Sequence, residues 1–582
     1  MEENINRLEL FWVDKYKEIK LEPRILIEDK EKSYGDTDTE NMLIHGDNLL
    51  ALKALEQKFS GQIKCIYIDP PYNTGNAFEH YDDNLEHSMW LNLMYSRLRI
   101  LHKLLAENGL LYVHLDGIEV HYCKVMLDEI FGRDNYVSQI TYERSAVSGI
   151  GQGGALVNTG EYILIYKKNI LEINEISNYE QIDLSTMKRY NKVLTDYGNM
   201  VLIDEFISRS NGEKVKVYRH ENFVINTISF KNYKKDKEII DDKYTNNYDN
   251  LFRTFLIQKE NSFQQDIIKN MEKSDLYSIE YIPSRGKNKD KLTNLYYYNK
   301  ELIGWLKDSA KLENKCIVKA SKLTNIWKHS EIPKADLPNE GRISFPRGKK
   351  PEQLLKRIIE MSTSEGDYVL DSFIGSGTTI AVAHKMNRKW IGIELGEHCY
   401  THCVPRLKSV IDGVDQQGIS KLVNWQGGGG FKFYELAPSL LKKDKFGNLV
   451  IDERYNQEML AAAMCKHEGF TYAPDNEVFW KQGYSYENDF IFTTSNLITP
   501  EYIDNIYNEM KQDESLLICC KAYHASCEGR YSNINIKKIP QMLFGRCEFA
   551  KDDYKLNIVD VPNIEDISEE GLEDEQTCTI YR

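Results

Sequence analysis

Long apolar runs are missing from this 582-residue chain. No stretch approaches the roughly 20 consecutive apolar residues that cross a bilayer, and the opening MEENINRLELFW carries acidic side chains where a secretory leader carries basic ones. Neither a membrane span nor secretion is expected, and the expected compartment is the cytoplasm. Cysteine is sparse: 11 residues, irregularly placed, do not make a disulfide framework. The pairs His398-Cys399 and His402-Cys403, and Cys465 with His467, lack the compact set of four ligands that a structural zinc requires, so no metal is expected. No Gly-rich loop ends in Gly-Lys-Ser/Thr, which argues against a nucleotide triphosphatase. Positive charge is also short, with a net of −15 that by itself argues weakly against a nucleic-acid protein, since phosphate contacts need local positive potential.

The deficit is uneven. Residues 171–330 hold 27 Lys and Arg against 23 Asp and Glu, whereas 551–582 hold 3 against 10. A basic face in the middle of an acidic chain is therefore allowed. A hydrophobic fraction of 41% with 28% charged residues excludes a disordered chain, and the length leaves room for about three or four domains.

What is present is an alternating pattern. NMLIHGDNLLALKALEQKF reads as strand, tight turn and amphipathic helix, and IKCIYIDP reads as a strand covered on both faces that Pro70-Pro71 ends abruptly. A helical pattern then runs through Trp90, Leu93, Leu98, Leu101 and Leu105, with Gly109 as its expected stop before the strand LLYVHLD. From about 171 the rhythm changes to Asn-, Lys- and Tyr-rich segments with no repeated strand-helix unit. The α/β pattern resumes with YVLDSF, the helix TTIAVAHKMN and the strand RKWIGIEL.

The predicted fold is a doubly wound, mainly parallel α/β sheet interrupted by an inserted mixed α+β domain and followed by a C-terminal domain. Expected boundaries are an N-terminal extension over 1–34, one half of the α/β domain over 35–170, the insertion over 171–330, the second half over 331–415, and a C-terminal domain with an acidic tail over 416–582. Ligands of such sheets sit at the carboxyl ends of the strands, where Asp47, Asp69 and Asp116 stand.

Two motifs carry chemistry. In VLDSFIGSGTT, Gly375 and Gly377 stand where the backbone must turn tightly and approach a ligand, leaving no space for a β-carbon, before the helix opens at Thr378. Glu394 ends the next strand, where a carboxylate can accept hydrogen bonds from both ribose hydroxyls. Asp371, just before the turn, would repel a pyrophosphate but can pair with the ammonium of an amino-acid cofactor. A tight strand-helix joint is the bland alternative.

The second motif is Asp69-Pro70-Pro71-Tyr72. An amine on an aromatic ring is a poor nucleophile because its lone pair is delocalised. Asp69 together with the backbone carbonyl of Pro70 or Pro71 can accept both amine hydrogens and push nitrogen toward tetrahedral geometry, aiming its lone pair at a sulfonium methyl. Tyr72 offers a flat stacking surface, worth roughly 1–3 kcal/mol per base. The loop residues Asn73, Thr74, Phe78, Tyr81 and Asp82 fit either a moving wall or a polar surface loop. Asp116 and Glu119 read mainly as helix-capping residues, His87 and His114 as structural, and the lysines around 231–237 and 285–291 as either phosphate contacts or solvated surface.

In NMLIHGDNLLALKAL, IYIDPPYNTGNAFEHYDDNLEHSMWLNLMYSRL, LDSFIGSGTTIAVAH, RKWIGIEL and NWQGGGGFKFYEL the chain resembles a site-specific DNA adenine-N6 methyltransferase of the beta arrangement, and more narrowly the modification subunit of type III restriction-modification systems. The resemblance is close over 35–170 and 340–436 and only positional elsewhere. It implies base flipping and catalysis by Asp69, Pro70, Pro71 and Tyr72, with S-adenosylmethionine held by Asp371, Gly375, Gly377, Thr378 and Glu394. It further implies that Phe373 lines the cofactor pocket, Asp47 contacts the cofactor's adenine, and Phe345-Pro346 closes its methionine end. Asp rather than Asn at the head of the catalytic motif goes with adenine by family association. The implied partners are double-stranded DNA, read by 171–330, a helicase-nuclease restriction subunit and a second copy of the chain. A stand-alone DNA methyltransferase, an RNA or protein-amide methyltransferase and a noncatalytic DNA-binding scaffold are the alternatives.

Overall fold

The structure, a computed structural model, describes residues 9–17, 19–72, 87–145, 157–208, 212–258, 262–284, 288–313, 316–332, 338–345, 348–486, 488–552 and 554. The loop residues Asn73, Thr74, Phe78, Tyr81 and Asp82, together with Pro346, 285–287 and the acidic tail, lie outside them. The chain forms two compact units, Met1–Asn174 with Thr324–Arg582, and Glu175–Leu323.

The first unit is built on a ten-stranded sheet. Its elements in chain order are β1 (Leu26–Gly35), β2 (Met42–His45), α1 (Asn48–Phe59), β3 (Ile63–Ile68), α2 (His87–Leu104), β4 (Leu105–Leu115), α3 (Val120–Phe131), β5 (Tyr136–Glu143) and β6 (Gly160–Lys167). After the insertion come β7 (Ile326–Trp327), α4 (Glu352–Ser362), β8 (Tyr368–Asp371), α5 (Thr378–Lys385), β9 (Lys389–Glu394), α6 (Val404–Ile411) and β10 (Gly430–Leu436). The strand order is β1-β10-β2-β9-β8-β3-β4-β6-β5-β7. From β10 to β4 all neighbours are parallel, while β1 and β6 join antiparallel at either side.

The apolar runs explain this core. In β3 and β4, Ile66, Ile68, Leu111, Val113 and Leu115 belong to one cluster with α1, α2 and α3. Alternate residues of a strand point to opposite faces. Accordingly, Tyr112 reaches the other way to bond Ser362 of α4 at 2.7 Å. Both faces are covered, which is why Cys65–Ile68 and Leu110–Val113 are apolar at successive positions instead of alternating. The second-half strand β8 inserts between β9 and β3, beside the first-half strand that ends at Asp69. That interleaving brings the two sequence-distant motifs to neighbouring strand ends.

Gly109 does not stop the helix. α2 ends at Leu104, and Gly109 lies inside β4, where the register against β3 shifts and a β-carbon would come within 2.8 Å of the Ile63 carbonyl. The glycine permits close strand contact at a bulge. Glu119 is also not a side-chain cap, since it makes no cap hydrogen bond to α3. Beyond β10 the unit carries a five-stranded sheet with Asp489–Ile498, Ser515–Tyr523 and Ile534–Lys538 running parallel, flanked by helices Gln457–Glu468 and Pro500–Glu509.

The second unit is an eight-stranded antiparallel sheet with a separate three-stranded one and short helices such as Leu184–Arg189 and Lys237–Asn246. Its cores are rich in tyrosine, including Tyr190, Tyr244, Tyr277 and Tyr297. In the 231–237 lysine cluster, Lys237 pairs with Asp241 at 3.1 Å.

Candidate active site

Asp371, Asp69 and Glu394 stand at or just beyond the carboxyl ends of the adjacent strands β8, β3 and β9. They are close enough that the charges of Asp69 and Glu394 both act on Asp371. Asp371 is 1% exposed; its two oxygens accept hydrogen bonds from the Phe373 amide at 2.9 Å and the Thr379 hydroxyl at 2.6 Å. Burial, reinforced by the neighbouring carboxylates and opposed by those two bonds, pushes its pKa up to about 7. No Lys, Arg or His of the described residues lies in ion-pair range of Asp371. A dry carboxylate lacking a counter-charge suits a ligand bearing a cation.

Glu394 organises the turn that follows Asp371. One oxygen accepts the Gly375 amide at 2.9 Å, and the other accepts those of Leu395 at 2.9 Å and Gly396 at 3.2 Å. His398 lies 3.1 Å from the second oxygen. Burial lowers the His398 pKa, but the Glu394 charge outweighs it and the imidazole stays protonated above its usual range.

Gly375 and Gly377 have φ of 50° and 75°, the left-handed region that other residues avoid. At Gly377 the expected reason for glycine does not hold. A β-carbon there would rest 3.4 Å from the Cys403 sulfur, so it would face the turn Cys399–Cys403 and not a ligand. The requirement is conformational. Thr378 likewise faces inward, accepting from the buried Arg406 at 2.8 Å, and Arg406 pairs with Glu352 at 2.9 Å. Phe373 is buried in the core cluster beside the turn. Phe345 packs edge-on against His398 and His402, with ring centroids 5.7 and 5.4 Å away.

Asp47 follows β2 and opens α1. It caps α1 by accepting the Leu50 amide at 3.1 Å, lies 3.5 Å from Arg97, and accepts the Tyr554 amide at 3.4 Å. It is 1% exposed.

The Asp69 turn is pinned from below. Trp90, fully buried on α2, donates its indole N–H to the Pro71 carbonyl at 2.7 Å. The Tyr72 hydroxyl donates to Asp69 Oδ1 at 2.8 Å. Two neighbours escaped the sequence reading. Lys350, immediately before α4, places its ammonium 3.1 Å from Asp69 Oδ2 and donates to the Tyr72 hydroxyl at 2.6 Å. Glu161 of β6 lies 3.6 Å from the same nitrogen and 2.9 Å from His114, whose other ring nitrogen meets the Tyr67 hydroxyl at 2.8 Å. The motif GKKPEQLL offers two consecutive lysines but not which one points inward. His114, read as structural, lies within this buried network. His87 pairs with Glu119 at 3.0 Å, and Asp116 accepts the Ile118 amide at 2.8 Å. Among the described residues no group of three or more metal-ligating side chains exists, and no helix is long and apolar enough to cross a membrane.

Comparison with known proteins gives a consistent picture. A family model described as DNA methylase matches residues 63–404. The chain is 42% identical over 429 residues to the "Probable type III restriction-modification enzyme HindVI Mod subunit" of Haemophilus influenzae, covering 70% of this chain and 55% of that protein. It is 26% identical over 406 residues to the type III restriction-modification enzyme EcoPI Mod subunit of Escherichia phage P1, covering 63% and 58%. Over 478 residues it is 24% identical to the EcoP15I Mod subunit of Escherichia coli, covering 72% and 69%. The chain thus spans little more than half the length of the first two relatives.

Proposed function

The chain belongs to the DNA methylase family, and on that footing we propose that it transfers a methyl group from S-adenosylmethionine to the N6 amine of an adenine flipped out of double-stranded DNA. The observation that carries this reading is the juxtaposition of the Asp69-Pro70-Pro71-Tyr72 turn and the Phe373–Thr378 turn at neighbouring strand ends of one sheet edge.

Asp371 would hold the cofactor's ammonium, Glu394 its ribose, and Gly375 the close backbone approach; Phe373 and Phe345 would flank it. When bound, the cofactor supplies an activated methyl on sulfur, so no metal is called for. Asp69 would accept one hydrogen of the adenine amine. The second acceptor would be the carbonyl of Pro70 or of Pro71, the latter held in place by the Trp90 indole. Together they localise the nitrogen lone pair, and the rigid proline pair keeps that geometry with little freedom left to lose. Tyr72, its hydroxyl tied to Asp69, would present its ring to the base.

In the same reading the chain is the modification and recognition subunit of a type III restriction-modification system, supported by its identity to the HindVI Mod subunit. The inserted unit Glu175–Leu323 would read the target sequence, a second copy would complete the modification enzyme, and cleavage would require a helicase-nuclease partner. Expression in a methylation-free host followed by modification-sensitive sequencing tests it. N6-methyladenine at one recurring sequence is expected, and its absence from the host DNA would refute the assignment.

A further inference from the structure

The geometry points to Lys350 as a positioning residue that reserves the amine-accepting face of Asp69 and yields it to the target base by moving onto Glu161. The inference rests on the function proposed above. The Lys350 ammonium lies 3.1 Å from Asp69 Oδ2, bonds the Tyr72 hydroxyl at 2.6 Å and stands 4.9 Å from the Tyr72 ring centroid. It therefore occupies the two features, carboxylate acceptor and aromatic surface, that the adenine amine and ring are proposed to use. An ammonium and an aromatic amine compete for the same lone pairs.

A second resting place is already built. Glu161 Oε2 is 3.6 Å from the Lys350 nitrogen, and the Glu161 side chain is 4% exposed, facing His114 at 2.9 Å and Arg144 at 3.4 Å. The backbone that carries Lys350 is held independently. Its neighbour Lys349 turns the opposite way and donates to the carbonyls of Glu340 and of Ile343, and α4 starts two residues on. The flexible four-carbon stem of a lysine can swing its head over the distance that separates the two carboxylates while the chain stays fixed.

Both partners remain charged during such an exchange. Burial lowers the Lys350 pKa, but Asp69 and Glu161 outweigh it and the ammonium is held above its usual range. Burial raises the Glu161 carboxyl, but Lys350 and His114 hold it below the usual carboxylate range. Base entry thus replaces one charge-assisted hydrogen bond at Asp69 and restores another at Glu161, with no proton moved. Only a base driven in by correct DNA contacts gains enough to displace the lysine, so Lys350 restricts which adenines are modified.

The test uses the full chain, labelled S-adenosylmethionine and unmethylated genomic DNA, with the parent, Lys350→Met, Lys350→Arg and Glu161→Gln. Lys350→Met should lower KM for DNA about tenfold and add methylated adenines outside the parental recognition sequence when a host genome is sequenced. Glu161→Gln, which removes the second resting charge, should raise KM for DNA by a similar factor. Lys350→Arg should keep the parental set of sites. An inactive parent would refute the functional reading itself. An active parent whose Lys350→Met variant keeps the parental KM and sites, or loses only kcat, overturns the present inference alone. If thermal melting shows that Lys350→Met does not fold, Glu161→Gln decides, and an unchanged KM there overturns it.

Discussion

Asp371→Asn, combined with a pH titration of cofactor binding, examines the charge logic of the site most directly. Burial pushes the Asp371 pKa up to about 7, well above the usual carboxylate range near 4. The sign follows from linkage. The folded state binds the proton more tightly than the unfolded chain, so stability falls as pH rises from about 4 to about 7 and is level above; three pKa units set the scale at roughly 4 kcal/mol. A bound ammonium stabilises the ionised form and reverses this. At pH 6 about nine tenths of Asp371 is protonated, so binding should release close to one proton, and affinity should fall about tenfold per pH unit below 7. Isothermal titration with S-adenosylhomocysteine, which keeps the ammonium, in buffers of different ionisation enthalpy measures both quantities. Asp371→Asn should bind weakly at every pH with no proton release from this site, and should gain stability at pH 8 in the absence of ligand. Affinity in the parent that is constant from pH 5.5 to 8, with no proton released, would refute the pairing.

Other expectations concern single positions. Asp69→Ala should reduce methyl transfer about 10²–10³-fold, as loss of a charge-stabilising group does, while titration calorimetry shows cofactor affinity within about twofold of the parent. Gly377→Ala should cost about 1–2 kcal/mol in chemical denaturation through its φ of 75°, yet leave cofactor affinity unchanged, because the new methyl faces Cys403. Lys385→Ala should cost about 3–5 kcal/mol, since it leaves Glu352 at 2.8 Å and Asp415 at 2.7 Å buried without their shared cation; a shift under 1 kcal/mol would show that the network relaxes.

The amino-acid sequence by itself determined the element types and the chemistry-bearing positions. Short apolar runs such as CIYI, ended abruptly by Pro70-Pro71, read as strands covered on both faces, and an Asp or Glu directly after such a run then stands at a strand end. Asp69, Asp371 and Glu394 were legible for that reason. Tertiary structure decided which side chains meet. The order of β8 between β9 and β3 joins two motifs some 300 residues apart, and no local pattern encodes strand order. Local signals also misled where a distant contact gave the residue its role. Gly109 is needed by strand proximity instead of a helix end, and Gly377 by backbone conformation instead of ligand space. Lys350 and Glu161 carry no motif at all. Their importance arises only when β6 and the start of α4 converge on Asp69, because a charge acquires its partners from the fold that desolvates it.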